Sequence, residues 1–594
     1  MKKRKEASAV WCTAGLTLLL GSGLAGAASL TITADQDLSS GGVLTGTEGG
    51  ISVTSGDGSS GNPYLYEFAS FSDGLIFNPG VRKLFTTGAL SKSFRLDLKG
   101  GSITGGSSLS INLSTAVAGD MQSSGNITIT NAGAISMGII DAHVDNGNAG
   151  SIRVSHRGTL SVGNILTYRI NSNDGNRDGS VGSISFDGDN GVASGTKGTF
   201  TSGNIGAQDA DTTATRSTIS IKNYWDVTVD GYIRGHSTTR GGHGVDVTIG
   251  TDPVPVGNVT IRGPITLYAS SGYGAGSPAY VGNLSISGTG NVLLQNDSGA
   301  GQNISGGVGD YGSPGNVTIK HDGQIVFNDI STTTSPGGNP GGYGTLQIML
   351  NGDAVGNGVS GTLAGRDIIG ATYAIGRHPS HNVDITGYTS VSLRTVDAGG
   401  YLTSNNGDSG SGGQNTGFIC ITNIAGPITI SGNLTTESLN GFSAGTHYAG
   451  AITLSASGDI TVAGTINANC VRSNAYDGAL TLTSGGAISL GSLDMSKVGV
   501  TKLDFQKTCV VTGAVLNVAA NYTGGNGSYA SPYVTTQTAL RVPAGKRLVY
   551  RWSDVPTNSY LNRAVYRVAD LNGSAGSGGL LIPYVPPGTV LTLR

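Results

Sequence analysis

AITLSASGDITVAGTINANCVRSNAYDGALTLTSGGAISLGSL, residues 451–493, carries one three-beat pattern twice. Ile452 and Leu454 make the first beat, Ile460 and Val462 the second, and Ile466 the third. After a polar loop the pattern restarts at Leu480 and Leu482, continues at Ile488 and Leu490, and closes at Leu493. Two apolar residues around one polar residue describe a short strand with a single buried face, because side chains alternate across a strand. Gly-Asp, Gly-Gly and Gly-Ser pairs separate the beats and supply the turns. Three short strands per unit, closed by turns, make one coil of a solenoid.

The same first beat recurs at Ile127, Ile152, Ile184, Ile219, Val247, Leu284, Val317, Leu346, Val383, Ile419, Ile452 and Leu480. Between units the spacing varies, but within a unit it is nearly constant. The second beat follows by eight residues at Leu160, Val227, Val292, Ile325, Val391, Ile460 and Ile488, and by nine at Ile428. The third follows five or six later, at Ile165, Ile233, Ile330, Val396, Leu434, Ile466 and Leu493. Extra residues, such as TDPVP at 251–255 and DGDNGVASGTKG at 187–198, fall between beats, where a stacked coil can bulge at a corner without shifting its strands. Parallel stacking explains the rhythm, since each beat pairs with the same beat of the next coil. The units lack a helical stripe and are crowded with Gly, Thr, Ser and Asn, which excludes a helical solenoid. The predicted fold is therefore all-β, a parallel β-helix of three-strand coils with about twelve rungs. One coil buries too little apolar surface to fold alone, so neighbours and end caps are required.

Domain organisation follows from where the beat holds. Residues 1–27 (MKKRKEASAVWCTAGLTLLLGSGLAGA) have a basic head, an apolar stretch and small residues at the end, the pattern of a signal peptide. This predicts a secreted or cell-surface protein, with the periplasm as the other destination. Residues 28–92 form an N-terminal cap region, 93–499 the repeats, and 500–594 a β-rich C-terminal cap or small domain. GDGSSGNPYLYEF at 56–68 is echoed by GNGSYASPYVTTQ at 525–537, each read as a turn feeding a strand that starts near Pro63 or Pro532.

With 100 glycines, 12% charged residues and a net charge of −3, the chain has no basic patch, which argues against nucleic acid as a partner. No apolar run after residue 27 is long enough to span a bilayer. Cys420, Cys470 and Cys509 allow one disulfide and a free thiol, or three thiols. Cys420 is read as standing in for an aliphatic residue between Ile419 and Ile421. No His or Cys partner sits at metal-ligand spacing from these cysteines.

The repeats GNITITNAGAIS (125–136), GNVTIKHDGQIVF (315–327) and AGAITLSASGDITVAGTINA (449–468) resemble those of large exported bacterial proteins of the filamentous-haemagglutinin and autotransporter-passenger type. The resemblance covers roughly residues 93–495. It implies a right-handed helix and an exported surface or adhesin-like role; the long third-corner loops, read separately, make surface glycan or extracellular polysaccharide the expected partner.

Parallel β-helices also include pectate-lyase-like and polygalacturonase-like enzymes, so a secreted polysaccharide-degrading enzyme is the alternative. Its chemistry needs acidic groups on adjacent coils and a basic residue near the substrate. The best local candidates are Arg366, Asp367, Arg377, His378, His381 and Asp384, which gather charge in a charge-poor chain. Loop solvation and corner hydrogen bonding is the competing reading. His243-Gly244 resembles a polygalacturonase dipeptide but lacks the accompanying paired Asp motifs. Asp174, Asn176 and Asp178 fit the first half of a calcium loop, yet the twelfth position is Ser185 rather than Glu, so the bidentate ligand is missing and a plain polar loop between Ile170 and Ile184 is the preferred reading. No catalytic, cofactor or metal residue is assigned. Tyr280, Tyr448 and Tyr476 each lie four residues ahead of a first beat, with Tyr311 and Tyr343 nearby. In register they form an aromatic ladder that either seals the loop side of the core or stacks on sugar rings. The sequons at Asn126, Asn258 and Asn316 sit at strand starts and are attributed to composition.

Overall fold

The computed structural model describes residues 28–68, 71–77, 82–86, 91–113, 122–144, 147–168, 181–188, 197–207, 216–235, 243–252, 254–269, 279–307, 312–333, 346–353, 356, 358, 361–371, 380–400, 416–438, 449–469, 478–493, 500–512, 522–535, 539–550 and 564–584. These residues contain strands and turns and no helix. First-beat strands stack into a wholly parallel sheet of 16 strands, from Tyr64–Glu67 to Leu540–Arg541. At the usual strand separation, 16 strands make a stack roughly 70 Å long. The expected in-register pairing is present in all but one of the predicted first beats. Ile127 lies beside Ile152, Ile152 beside Ile184 and Ile184 beside Ile219.

The second beats run in register from Leu160 through Phe200, Val227, Val259, Val292, Ile325, Leu363, Val391, Ile428 and Ile460 to Ile488. The third beats run from Ile165 through Ile205, Ile233, Ile265, Ile304, Ile330, Ile368, Val396 and Leu434 to Ile466. These two stacks are joined in one 31-stranded sheet, because in several coils one strand continues through the bend between them. Ile135–Asp141, Leu160–Leu166 and Ile460–Asn467 are such strands. The apolar residues of all three beats are buried and form one continuous core.

One register differs from the sequence reading. Ile348, not Leu346, pairs with Val317 and Val383. Leu346, Ile348 and Leu350 all lie on the buried side, so alternation alone leaves the pairing open by two residues.

Glycine makes the close stacking of loops possible. A Cβ on Gly450 would sit 1.9 Å from the Gly417 carbonyl oxygen, and one on Gly478 would sit 2.4 Å from that of Gly450. The corner between first and second strands instead uses single residues with positive φ, among them Asn131 (φ 52°), Asn223 (φ 66°) and Asn423 (φ 56°). Asparagine tolerates this left-handed conformation better than other side-chain-bearing residues. At two corners its amide is also anchored to the previous coil, from Asn131 Nδ2 to Asp97 Oδ1 at 2.8 Å and from Asn223 Nδ2 to Asp187 Oδ1 at 2.7 Å.

Parallel stacking extends beyond residues 93 and 499. Ser29–Ile32 pairs with Gly74–Phe77, Val500–Phe505 with Ala479–Ser484, and Cys509–Val511 with Ile488–Leu490. At the N-terminal end, the antiparallel pair Leu44–Gly46 and Gly49–Ile51 brings Leu44 and Ile51 into the core, and the Tyr66 hydroxyl donates to the Gly42 carbonyl at 2.9 Å. The two echoed loops share one structure. Asp57 and Gly58 N–H both donate to Asn62 O, as Asn526 and Gly527 N–H both donate to Ser531 O. Tyr64–Glu67 and Tyr533–Thr535 then start directly after Pro63 and Pro532.

Residues 1–27, Cys470, the calcium-like stretch 174–178, Arg377, His378, Tyr311, Tyr343, Tyr448 and Tyr476 lie outside the described residues. No described helix is long and apolar enough to cross a membrane.

Candidate functional site

The described members of the charged stretch 366–384, Arg366, Asp367, His381 and Asp384, do not converge. Asp367 sits on a third-beat strand in register with Asp329 and Thr395, whereas Asp384 sits on a first-beat strand between Met349 and Cys420. The Asp367 carboxylate is buried and held by the Arg394 fork, with one Nε–Oδ1 contact of 2.7 Å. Arg366 pairs in the same bidentate way with Asp329, through Nε at 2.8 Å and through Nη2. These pairs tie adjacent coils together at a corner. His381 points into the interior, where its Nε2–H donates to the Gly315 carbonyl at 2.9 Å and its Nδ1 accepts from the Thr332 hydroxyl at 3.1 Å. A carbonyl can only accept, which places the ring hydrogen on Nε2. Burial lowers the His381 pKa to about 4 and raises that of the partly buried Asp384.

His243 is buried with its ring 5.0 Å from that of Tyr280, and the Arg216 guanidinium lies 5.2 Å from the same Tyr280 ring. Tyr280, the one described member of the tyrosine ladder, is thus packed at the loop side. Cys420 and Cys509 are both free thiols. Cys509 is buried between Ile488 and Leu548, and burial pushes its thiol pKa up. Cys420 takes an outward position between Asp384 and Thr453 rather than an aliphatic one, because the buried positions of its strand belong to Ile419 and Ile421. Among the described residues no group of three or more His, Cys, Asp or Glu could hold a metal ion.

An open cleft lies elsewhere, on the outer face of the third-beat strands. Its volume is about 260 Å³, and Asn164, Leu166, Tyr168, Asn204, Gly206, Tyr232 and Arg234 line it. Three consecutive coils build it, because Leu166, Gly206 and Arg234 stand in register. Gly206 is the notch. A Cβ there would meet only Leu166 Cδ2 among the described atoms, at 3.5 Å, an ordinary contact. The next two coils carry Thr266 and Ser305 at this position, so a side chain is compatible with the strand.

Both walls are aromatic and braced. Tyr168 stacks flat on His143, with ring centroids 4.8 Å apart and planes within 4°. His143 is itself held by Asp141, its Nδ1 2.6 Å from Oδ1. On the other side the Arg234 guanidinium lies 4.3 Å from the Tyr232 ring centroid. Asn164 and Asn204 are fixed by a ladder in which Asn204 N–H donates to Asn164 Oδ1 at 3.0 Å and Tyr232 N–H donates to Asn204 Oδ1 at 3.1 Å. Each amide oxygen is committed, which leaves the NH₂ groups as donors.

Longer ladders of this kind explain the sequon asparagines. Asp226, Asn258, Asn291 and Gln324 form one, each side-chain oxygen accepting the backbone N–H of the next residue at 2.8–2.9 Å. Asp246, Asn283, Asn316 and Gln347 form another, at 2.7–2.9 Å. The sequence reading attributed Asn258 and Asn316 to composition, and missed both the ladders and the cleft. The signal for the cleft was present as Asn164-x3-Tyr168 and Tyr232-x-Arg234, but only coil-to-coil register shows that these residues meet. No family model, curated protein or solved structure matches the chain.

Proposed function

We propose that the chain is an exported, surface or adhesin-like β-helix that binds glycan on its outer face without cleaving it. The cleft over Gly206 carries this reading. Sugar rings present an apolar C–H face and a rim of hydroxyls, which suits tyrosine faces bordered by amide donors. Bracing of Tyr168 by His143 and Asp141 restricts the platform before binding and so reduces the ordering cost. Export rests on the signal-like residues 1–27, and the surface role on the resemblance of the repeats. The polysaccharide-degrading alternative draws no support from Asp367 and Asp384, which stand on different sheets.

The test is affinity electrophoresis through gels containing neutral or acidic polysaccharides, comparing the wild-type chain with Gly206→Thr. Retardation of the wild type, with at least about a tenfold weaker effect in the variant, is expected, since filling the notch excludes the ring from both tyrosines. Equal retardation of the two proteins would place binding elsewhere.

A further inference from the structure

Among its described lining residues the cleft has one charge and no carboxylate, and this feature specifies the ligand beyond the general glycan reading on which it rests. Arg95, Arg216, Arg262, Arg366 and Arg394 each have a carboxylate partner. Arg234, like Arg153, Arg157, Arg547 and Arg567, has none among the described residues, and its guanidinium lies over the Tyr232 ring. Stacking orients the guanidinium plane while leaving its N–H edge available, the geometry in which arginine takes a carboxylate through two parallel hydrogen bonds. The other uncommitted groups fixed by the asparagine ladder, the NH₂ of Asn164 and of Asn204, are also donors. A donor-rich cleft with an unpaired cation favours a ligand that brings acceptors and negative charge.

We propose that the cleft over Gly206 selects a carboxylated saccharide, a hexuronate unit within an acidic polysaccharide, and that Arg234 reads its carboxylate. Tyr168 and Tyr232 flank the sugar ring, and the two asparagine amides donate to its hydroxyls. The depth of the Gly206 notch admits the ring.

Another depression on the rod serves as an internal contrast. It has a volume of about 360 Å³, and its described lining, from Asp353 and Asn423 to Ser455 and Ser457, is mostly small and polar. It offers no aromatic face and no cation, so it lacks both elements of the recognition described here.

Calorimetric titration of the full chain with a galacturonate oligosaccharide and with its fully methyl-esterified form tests the proposal, since esterification removes the charge and keeps the ring. The wild type is expected to bind the acid at least about tenfold more tightly than the ester at low ionic strength, with the margin shrinking as salt is added. Arg234→Gln is expected to bring the acid-to-ester ratio close to one. Gly206→Thr, with an unchanged thermal midpoint, is expected to lose both ligands. Equal wild-type affinity for acid and ester, or an unchanged ratio in Arg234→Gln, would overturn the assignment of Arg234 while leaving glycan binding in place. Failure of the wild type to bind either form would overturn the hexuronate assignment, and loss of gel retardation by every neutral and acidic polysaccharide as well would overturn the glycan reading itself.

Discussion

At the scale of single residues, the interior holds polar groups that the apolar rhythm does not announce. His156 and Tyr224 share a hydrogen bond of 2.7 Å, and His321 and Tyr388 share one of 3.1 Å. In each case the tyrosine lies two coils beyond its histidine and reaches it across a glycine of the intervening coil. A Cβ on Gly188 would meet the Tyr224 ring at 2.9 Å, and one on Gly352 would meet the Tyr388 ring at 2.7 Å. Tyr388→Phe should cost about 1–3 kcal/mol in chemical denaturation, because it leaves a buried imidazole nitrogen without its partner. Burial lowers the pKa of His156, His321 and His381 to about 4, from an ordinary value of 6.5. The unfolded chain therefore takes up protons at these sites as pH falls below 6.5, while the folded chain resists until about 4. Their neutral burial costs no proton-linked stability above 6.5, and each site can withdraw up to about 3 kcal/mol by pH 4. Urea midpoints should fall between pH 6.5 and 4, and a midpoint flat over that range would show that these histidines are not buried as described.

At the scale of the strand and its corner, the beat was legible because burial alternates so regularly. The ladders were not legible, since Asn258 and Asn316 are ordinary turn residues until stacking aligns them with Asn291 and Asn283. Asn258→Ala should destabilise the chain by about 1–2 kcal/mol, as the Asn291 N–H loses its side-chain acceptor and Asp226 loses the amide donor of Asn258. Gly450→Ala should cost more, because its methyl group would lie 1.9 Å from the Gly417 carbonyl oxygen, and backbone cannot yield as a flexible side chain can. Both differences are measurable as shifts in denaturant midpoint. The cleft escaped the sequence reading for a related reason. Asn164, Gly206 and Arg234 belong to three coils, and the loops between those coils vary in length. The residues that looked chemical, Asp367 and His381, proved to be committed to Arg394, Gly315 and Thr332.

Across the whole molecule, the coil is the unit of construction. Removing residues 419–451 joins Phe418 to Ile452, which already pairs with Ile419 in register, so both long sheets should close over the deletion. A deletion of half that length should abolish the cooperative transition, because it brings a first-beat strand against a second-beat stack. Circular dichroism with thermal melting distinguishes the two outcomes. The extent of the rod was only partly legible: the repeats were read from residue 93, which takes in Phe94–Asp97, to 499, whereas three further strands, Tyr64–Glu67, Val500–Phe505 and Leu540–Arg541, continue the 16-stranded sheet. Their aromatic and charged residues blur the aliphatic rhythm. The central functional claim is binding without turnover. Its most direct test is prolonged incubation of residues 28–594 with acidic and neutral polysaccharides, with and without calcium, reading unsaturated products and new reducing ends. The account predicts that the polysaccharide is retained on the protein and remains intact. Depolymerisation that disappears in Asp367→Asn or Asp384→Asn would contradict it and make the rod an enzyme.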